Sequence, residues 1–460
     1  MTDMQGDMRV GDEWGSIAPD YLARVEAALE AGDAKLVRSI TRELHAADLA
    51  DLIENLEQEN RVKLIAALGR SFDVEALAEL DEDARDALME ALPNDVIASA
   101  INKLDTDDAL YLIEDMEQGE REDILAKVSK EDRAALNRAL DYPENSAGRL
   151  MQTEFVAVPE FWSVGQTIDH VRVAKDIPDD FVEIYVVDPG FHLKGVLPLA
   201  RVLRSARTAK ISDIMDGEQT VFKVLENQED IAYKFEQYNL VSAAVIDDAG
   251  RLVGTLMVDD IVDVIQDEAE EDILHLGGVG SEETITDTVW QTTRSRFSWL
   301  FVNLLTAILA SWVISLFGGT IKQMVALAIL MPIVASMGGN AGTQTMTVAV
   351  RALATRNLGP LNAMRVAFRE SSVGLINGVF FAVIVGLFSW WWFGSDKLGL
   401  VIAAAMVINL MAAALAGILV PLTLDHFDID PAIASGTFVT TVTDVVGFFA
   451  FLGLASIWLS

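Results

Sequence analysis

The sequence has 460 residues, of which 51% are hydrophobic, yet its formal net charge is −36. The length allows about three domains at roughly 150 residues each, and the negative charge excludes nucleic acid as a partner because like charges repel. The absence of Cys excludes disulfides and thiolate metal sites, and the five His have no paired ligand spacing, which argues against a zinc site.

Charge and apolar residues lie in different parts of the chain. From Phe297 to Ser460 there are six basic and six acidic residues, so residues 1 to 296 carry the whole excess of negative charge. The sequence therefore predicts a soluble, anionic part followed by an apolar part. An acidic surface attracts cations, although it can also serve solubility alone. The first residues, MTDMQGDMRVGDEW, are too polar for a signal peptide.

The soluble part begins with a helical region. Residues 1 to 19 are predicted to be a disordered tail, and residues 20 to 143 have the pattern of short amphipathic helices without strand signals. EQENRVKLIAAL (57–68) and EQGEREDILAKV (117–128) align at an offset of 60 residues. Such self-similarity predicts an all-α helical-repeat superhelix, here termed the N domain.

A second region, residues 144 to 263, has a mixed strand and helix pattern. VVDPGFHLKGVLPLAR (186–201) and VIDDAGRLVGTLMVDD (245–260) align at an offset of 59, with Asp, Leu and Gly in equivalent places. This duplication predicts two α/β units, about 144–206 and 207–263, each built as strand, turn, strand and helix. An acidic connecting helix is predicted over 264–296.

The apolar part, 297–460, contains five segments of the roughly 20 residues that a membrane crossing requires. They run over about 297–317, 321–350, 366–393, 398–424 and 432–459, and backbone polarity in lipid demands that they be helices. Basic residues flank the first segment and cluster between the second and third. The positive-inside rule therefore predicts a cytoplasmic acidic part and, with five crossings, a C-terminus outside.

One acid lies inside the last apolar segment, in TFVTTVTDVVGFF (437–449). Helical spacing gathers the polar and small residues of this stretch on one stripe, which is predicted to face protein or water. The stripe consists of Thr437, Thr440, Thr441, Asp444 and Gly447. Acids in membranes are costly and typically mark ion or substrate pathways, but a protonated Asp bonded to a neighbouring helix is the alternative.

The second segment contains PIVASMGGNAGTQTM (332–346), in which Pro332 and three glycines predict a helix break around Asn340. Broken membrane helices are tolerated where they line a cavity. Close helix packing through small residues is the alternative. A path with carboxylate, hydroxyl, amide and carbonyl oxygens suits Mg²⁺ or Ca²⁺, and also Mn²⁺. A homodimer would bring two copies of Asp444 to one axis.

The duplicated unit resembles a tandem CBS pair, and the order of parts resembles the MgtE family of magnesium channels or transporters. GGNAGTQ (338–344) and DPAIASGTFVTTVTDVVGFF (430–449) resemble the two pore signatures of that family. The resemblance implies a homodimeric, multi-pass protein of the inner cell membrane, in contact with lipid, that is not an enzyme. It implies a Mg²⁺-selective path that is gated by intracellular Mg²⁺.

The resemblance also implies roles for particular residues. Asp444 would hold hydrated Mg²⁺ in the pore, and Asn340, Thr440 and the backbone near Gly436 would line the path. Regulatory Mg²⁺ would be shared by acids of the connecting helix, the last membrane helix and the second CBS unit. These are Glu268, Glu271, Asp272 and Asp430, together with Asp247 and Asp259, for which a solvated acidic surface is the alternative.

Three further hypotheses concern ligands. Nucleotide-binding CBS units carry Ser or Thr three residues before Asp, but here Pro198 precedes Arg201 and Met257 precedes Asp260, which argues against ATP. A transporter of Mn²⁺ or Co²⁺ remains an alternative function. A membrane-anchored signalling protein whose CBS pair senses a nucleotide is another, although an anchor needs neither Asp444 nor Asn340.

Overall fold

The computed structural model describes residues 17–174, 177–178, 181–280, 283, 288–359, 361–427 and 429–459. Residues 1–16 of the predicted disordered tail and Asp428 lie outside this part of the chain. The chain divides into two compact units, Met1–Ile265 and Gln266–Ser460. The predicted fold class is confirmed: a helical domain, two small mixed sheets, and five long apolar helices among the described residues.

The N domain consists of short helices around a core of Leu, Ile, Val and Ala side chains. A helix begins directly after each of the aligned residues Glu57 and Glu117, in agreement with the predicted repeat. The helices are α1 Pro19–Glu30, α2 Ala34–Ile40, α3 Ala46–Glu54, α4 Gln58–Leu68, α5 Glu82–Ala91, α6 Asn94–Ile101, α7 Thr106–Tyr111, α8 Gln118–Leu125 and α9 Lys130–Leu140, with 3-10 turns at Gly69–Ser71 and Glu75–Leu77.

The CBS pair follows, and its two sheets confirm the duplication. Both sheets have a parallel first pair and an antiparallel second pair, with a bulge after Val186 in one and after Val245 in the other. Helix α10 Ala147–Leu150 precedes the first sheet in the chain but packs against the second unit. The first unit comprises β1 Ala157–Pro159, α11 Val164–Val173, β2 Glu183–Val187, β3 Leu193–Pro198, α12 Leu199–Arg204 and α13 Ile211–Ile214. The second comprises β4 Val221–Lys223, α14 Gln228–Tyr238, β5 Ser242–Ile246 and β6 Leu252–Met257.

The connecting helix, α15, spans Val258–Gly277. It begins directly after β6, and Gly278 follows it with a left-handed φ of 72° that stops a right-handed helix. The prediction of one connecting helix over 264–296 is wrong, because α15 ends at Gly277 and, among the described residues, a separate helix begins at Val289.

The membrane part contains the five helices that are long and apolar enough to cross a bilayer, counted over the described residues. They are α16 Val289–Ser315, α18 Ala326–Ala354, α19 Ala363–Phe393, α20 Asp396–His426 and α21 Pro431–Trp458, with the short α17 Gly318–Gln323 between the first two. In α20, 56% of the 18-residue apolar stretch that could cross a bilayer is buried, against 11% of the corresponding stretch in α16. Helix α20 is therefore the centre of the bundle.

The predicted helix break around Asn340 is wrong. Helix α18 runs without interruption from Ala326 to Ala354, and Pro332 lies within it. Gly338 and Gly342 are buried against α20 and α21, where an added Cβ would clash. The glycines thus serve close packing of helices, which was the alternative interpretation.

Candidate ion pathway and cation-sensing carboxylates

Asp444 lies in the middle of α21, the fourteenth of its 28 residues. Its side chain is half-buried, and no described residue forms a hydrogen bond or an ion pair with it. The alternative of an Asp bonded to a neighbouring helix therefore has no support in the described part of the chain. An unpaired acid at the centre of an apolar helix can interact with a cation or with water.

The threonines around Asp444 turn their hydroxyl hydrogens toward the protein. Thr440 Oγ1 donates to the Gly436 carbonyl at 2.8 Å, and Thr441 Oγ1 donates to the Thr437 carbonyl at 2.6 Å. Thr437 Oγ1 donates to Asn303 Oδ1 of α16 at 2.9 Å. Since the Thr440 hydroxyl hydrogen is bonded within α21, the hydroxyl lone pairs on the exposed side of Thr440 can accept hydrogen bonds, as a hydrated cation requires.

The other residues predicted to line the path lie at different degrees of exposure. Asn340 is exposed on α18, as is Thr440 on α21. Gly436 is half-buried, and a Cβ there would lie 4.0 Å from the Leu276 carbonyl at the end of α15. The start of α21 therefore lies next to the end of the connecting helix.

Asp430 forms the junction between α15 and α21. As N-cap of α21 it accepts the amide hydrogen of Ala432 through Oδ1 at 2.8 Å. Its Oδ2 lies 3.0 Å from Nδ1 of His275, whose other ring nitrogen lies 3.6 Å from Glu271 Oε1. His275 is buried, with 8% of its side chain exposed. The structure therefore brings Asp430 and Glu271 together through one imidazole.

The sequence does not single out His275, because the five histidines are scattered without a paired ligand spacing. Its spacing from Glu271 gives the only local signal, since residues four apart share a helix face. Glu268, Glu271 and Asp272 are all half-buried and lie within two turns of His275 on α15. The proximity of Asp430 is a tertiary contact that the sequence does not encode locally.

The two acids predicted in the second CBS unit have different surroundings. Asp247 caps the turn between β5 and β6 through the amides of Ala249 and Arg251, and pairs with the Arg251 guanidinium at 2.6 Å. Its oxygens are thus engaged in the turn. Asp259 is exposed at the start of α15.

Asp259 belongs to a group of carboxylates, here termed the acidic cluster, that also includes Asp107, Asp108 and Asp260. Burial and then the Asp259 and Asp108 carboxylates raise the pKa of Asp260 to about 8. Burial and then other acids, Asp105 first among them, raise the pKa of Asp108 to about 7. Burial and then Asp260 raise the pKa of Asp107 well above its ordinary value.

The acidic cluster joins the N domain to the CBS pair, because its members lie in the first turns of α7 and α15. Next to it, Thr106 Oγ1 donates to Glu154 Oε1 at 2.8 Å, and the Thr106 amide donates to Glu154 Oε2 at 3.1 Å. Sequence reasoning identified only Asp259 of the four. The pairs DD in DTDDAL and VDDI, each at a helix start, were the available signal.

Over the ranges that the structure describes, no three His, Asp or Glu side chains are grouped closely enough to hold a metal ion directly. The arrangement therefore offers single carboxylates and pairs. Such groups can hold a cation through its water shell, which is the mode that Mg²⁺ favours because it loses water reluctantly.

Three family models match separate parts of the chain. A family model described as a divalent cation transporter, MgtE, matches residues 331–454, one described as the MgtE intracellular N domain matches 44–145, and a CBS domain model matches 211–267. The magnesium transporter MgtE of Thermus thermophilus is 30% identical over 441 residues, which cover 95% of this chain and 98% of the relative. That of Bacillus subtilis is 28% identical over 437 residues, covering 95% and 97%.

Among solved structures, the crystal structure of the soluble part of a magnesium transporter has a TM-score of 0.50 and 25% identity. It covers 54% of this chain and 98% of its own. Another, the cytosolic domain of the Mg²⁺ channel MgtE in complex with ATP, has a TM-score of 0.49 and 28% identity over 53% of this chain and 99% of its own.

Proposed function

The chain belongs to the MgtE family of divalent cation transporters, which are not enzymes, and on that premise we propose that it carries Mg²⁺ across the cell membrane. The proposal adds three points to the family assignment: the ion, its route past Asp444, and control of the route by intracellular Mg²⁺. The names of the relatives, which are magnesium transporters, support the choice of ion.

The unpaired carboxylate of Asp444 is the observation that carries the proposal. A charged residue at the centre of a membrane helix costs roughly 2.5 to 3.5 kcal/mol on insertion scales, so an acid without a protein partner requires another source of stabilisation. A hydrated divalent cation supplies it. The water shell donates hydrogen bonds to Asp444, to the Thr440 hydroxyl and to the Asn340 side chain.

Two copies of the chain form the path in this account. One chain supplies the half-buried Asp444 and the exposed Thr440 of α21, and a second copy would complete the ring of oxygens around a twofold axis. The exposed apolar side chains of α16, such as Phe301 and Trp312, then contact lipid or the second copy. The acidic part faces the cytoplasm and the C-terminus faces outside, as the basic residues that flank the helices indicate.

The regulatory part of the proposal rests on carboxylates that repel one another. Two unit charges about 4 Å apart at an effective dielectric constant of 20 repel by about 4 kcal/mol. In high intracellular Mg²⁺, the ion offsets this repulsion in the acidic cluster and at Asp430 and Glu271. The acids then remain close together, and the path is closed. In low Mg²⁺, repulsion separates the acids and the path opens.

Mg²⁺ flux into liposomes that contain the purified full-length chain tests the transport proposal. We expect Mg²⁺-dependent flux from the natural sequence and a loss of at least about a hundredfold for Asp444→Ala, since one group then no longer stabilises the ion in the membrane. Thr347→Val on α18, which removes an exposed hydroxyl that is bonded within its own helix, is the control and retains flux. Flux that persists in the Asp444 variant would refute the route.

A further inference from the structure

Asn409 is a fully buried amide in the centre of the membrane part. It is the fourteenth of the 31 residues of α20, and its side chain has no exposed surface. Its Nδ2 donates to the Val334 carbonyl of α18 at 2.8 Å. Its neighbours in α20, Ile408 and Leu410, are apolar, so this amide gives the most buried helix a polar contact with α18.

The Asn409 amide occupies a slot between two glycines on two other helices. A Cβ at Gly338 of α18 would lie 2.2 Å from Asn409 Nδ2, and a Cβ at Gly447 of α21 would lie 2.8 Å from the same nitrogen. A side chain at either position would therefore require the Asn409 amide to move. One side chain thus contacts the backbones of α18 and α21 together.

Those two glycines are close in sequence to the residues proposed to line the path. Gly338 precedes Asn340 by about 3 Å along the helix axis, and Gly447 follows Asp444 by about 4.5 Å, at ~1.5 Å per residue. A shift of α18 or α21 where it contacts the Asn409 amide would therefore move Asn340 or Asp444 by nearly the same distance.

The second polar atom of the Asn409 side chain, Oδ1, argues against a role in stability alone. Asn409 Oδ1 is buried and has no hydrogen-bond partner in the described part of the chain. A buried polar atom without a partner costs about 1 to 3 kcal/mol, which an apolar side chain of similar size would not cost. Polar groups that reduce stability in this way are known to fix the register of packed helices.

We propose that Asn409 is a positioning residue that sets the depth of Asp444 relative to Asn340. The inference rests on the proposed function. By holding Gly338 and Gly447 against opposite sides of one amide, Asn409 fixes α18 and α21 in one axial register. A change of this register would change the separation between the oxygens of Asn340 on α18 and those of Thr440 and Asp444 on α21.

Liposome flux with Asn409→Leu and Asn409→Ala tests the proposal, with the half-saturating Mg²⁺ concentration measured per inserted protein. We expect that concentration to rise roughly tenfold in both variants, because misplacement of binding groups by a fraction of an ångström weakens binding. Ser389→Ala is the matched control, since Ser389 is also fully buried and its hydroxyl has no partner among the described residues. It should keep the half-saturation of the natural chain.

The contact between Asn409 and Gly447 allows a second, independent test of the proposal. Gly447→Ala should raise the half-saturating concentration, whereas the double variant Asn409→Ala/Gly447→Ala should be no worse than Asn409→Ala alone, because the added methyl then fits the vacated slot. Additive effects would overturn the proposal, as would Asn409 variants that insert in smaller amounts but bind Mg²⁺ as the natural chain does. Absence of Mg²⁺ flux from the natural chain would instead refute the proposed function.

Discussion

Asp430 and Glu271 meet at His275, and this contact gives a prediction about control rather than transport. Asp430→Asn combined with Glu271→Gln removes two charges but keeps hydrogen-bonding side chains. We expect Mg²⁺ flux at low internal Mg²⁺ to be unchanged and the internal Mg²⁺ needed to halve it to rise about tenfold, as for a loss of ~1.4 kcal/mol of ion binding. Flux into liposomes preloaded with graded Mg²⁺ measures this.

The matched control is Asp396→Asn, which neutralises an exposed acid in the first turn of α20. It should leave both the flux and its shut-off unchanged. If the Asp430 and Glu271 variant were shut off at the same internal Mg²⁺ as the natural chain, these acids would have no part in sensing.

The acidic cluster predicts a pH dependence of stability. Because the pKa of Asp108 is raised to about 7 and that of Asp260 to about 8, the folded chain binds more protons than the unfolded chain between about pH 4 and 8. Stability therefore falls as pH rises through this window. Thermal unfolding of the metal-free chain in detergent should show a Tm lower at pH 8.5 than at pH 6 by several degrees, at roughly 2 to 4 °C per kcal/mol.

Mg²⁺ should restore most of the lost Tm at pH 8.5, since it offsets the charges that form on deprotonation. Asp260→Asn should reduce the pH dependence, whereas Glu131→Gln, at an exposed acid in the first turn of α9, should not. A Tm of the natural chain that rises over this pH range would contradict the repulsion on which the gating proposal rests.

Among the elements, α19 and α20 approach each other closely along glycines. A Cβ at Gly374 would lie 2.9 Å from the Leu410 carbonyl and 2.8 Å from the Ala414 Cβ, whereas a Cβ at Gly339 of α18 would meet nothing within 4 Å. Gly374→Ala should therefore destabilise the membrane part by about 1 to 3 kcal/mol through overpacking. Gly339→Ala is the control, and unfolding in detergent measures both. Equal stability of the two variants would show that the α19 contact yields without cost.

At the scale of helices and strands, most elements were predictable from the sequence, but the continuity of α18 was not. The five membrane helices and the duplicated strands were predictable, because apolar length and repeated residues are local signals. The predicted break at Asn340 is wrong, because Pro332 and the glycines are local signals of a weakened helix, whereas α18 is continuous and its Gly338 and Gly342 pack against α20 and α21. A glycine that opens a helix and one that admits a neighbour look alike in one sequence.

Individual residues follow the same division. Asp444 was recognisable because a charge in an apolar segment is conspicuous on its own. Asn409 and His275 were not, since their importance depends on Gly447 and Asp430, which are distant in the chain. The acidic cluster was found in part, as only Asp259 of its members was named.

For the whole molecule, the division into two compact units predicts that transport and control can be separated. A chain that starts at Gln266 retains the complete second unit, including Glu271, His275 and all five membrane helices. We expect it to carry Mg²⁺ at low internal Mg²⁺ at a rate similar to that of the intact chain. Its flux should persist at internal Mg²⁺ concentrations that stop the intact chain, because the acidic cluster is absent. Flux with unchanged shut-off would place all sensing within the second unit.

The central claim is that Mg²⁺ passes Asp444 with its water shell in place. The most direct measurement is block of Mg²⁺ flux through the intact chain by an exchange-inert hexaammine complex of Co(III), which has the shape of a hydrated ion but cannot shed its ligands. The account predicts block that competes with Mg²⁺ and weakens in Asp444→Asn. Flux that is indifferent to this complex would mean that the ion is stripped of water on its way, and would contradict the account.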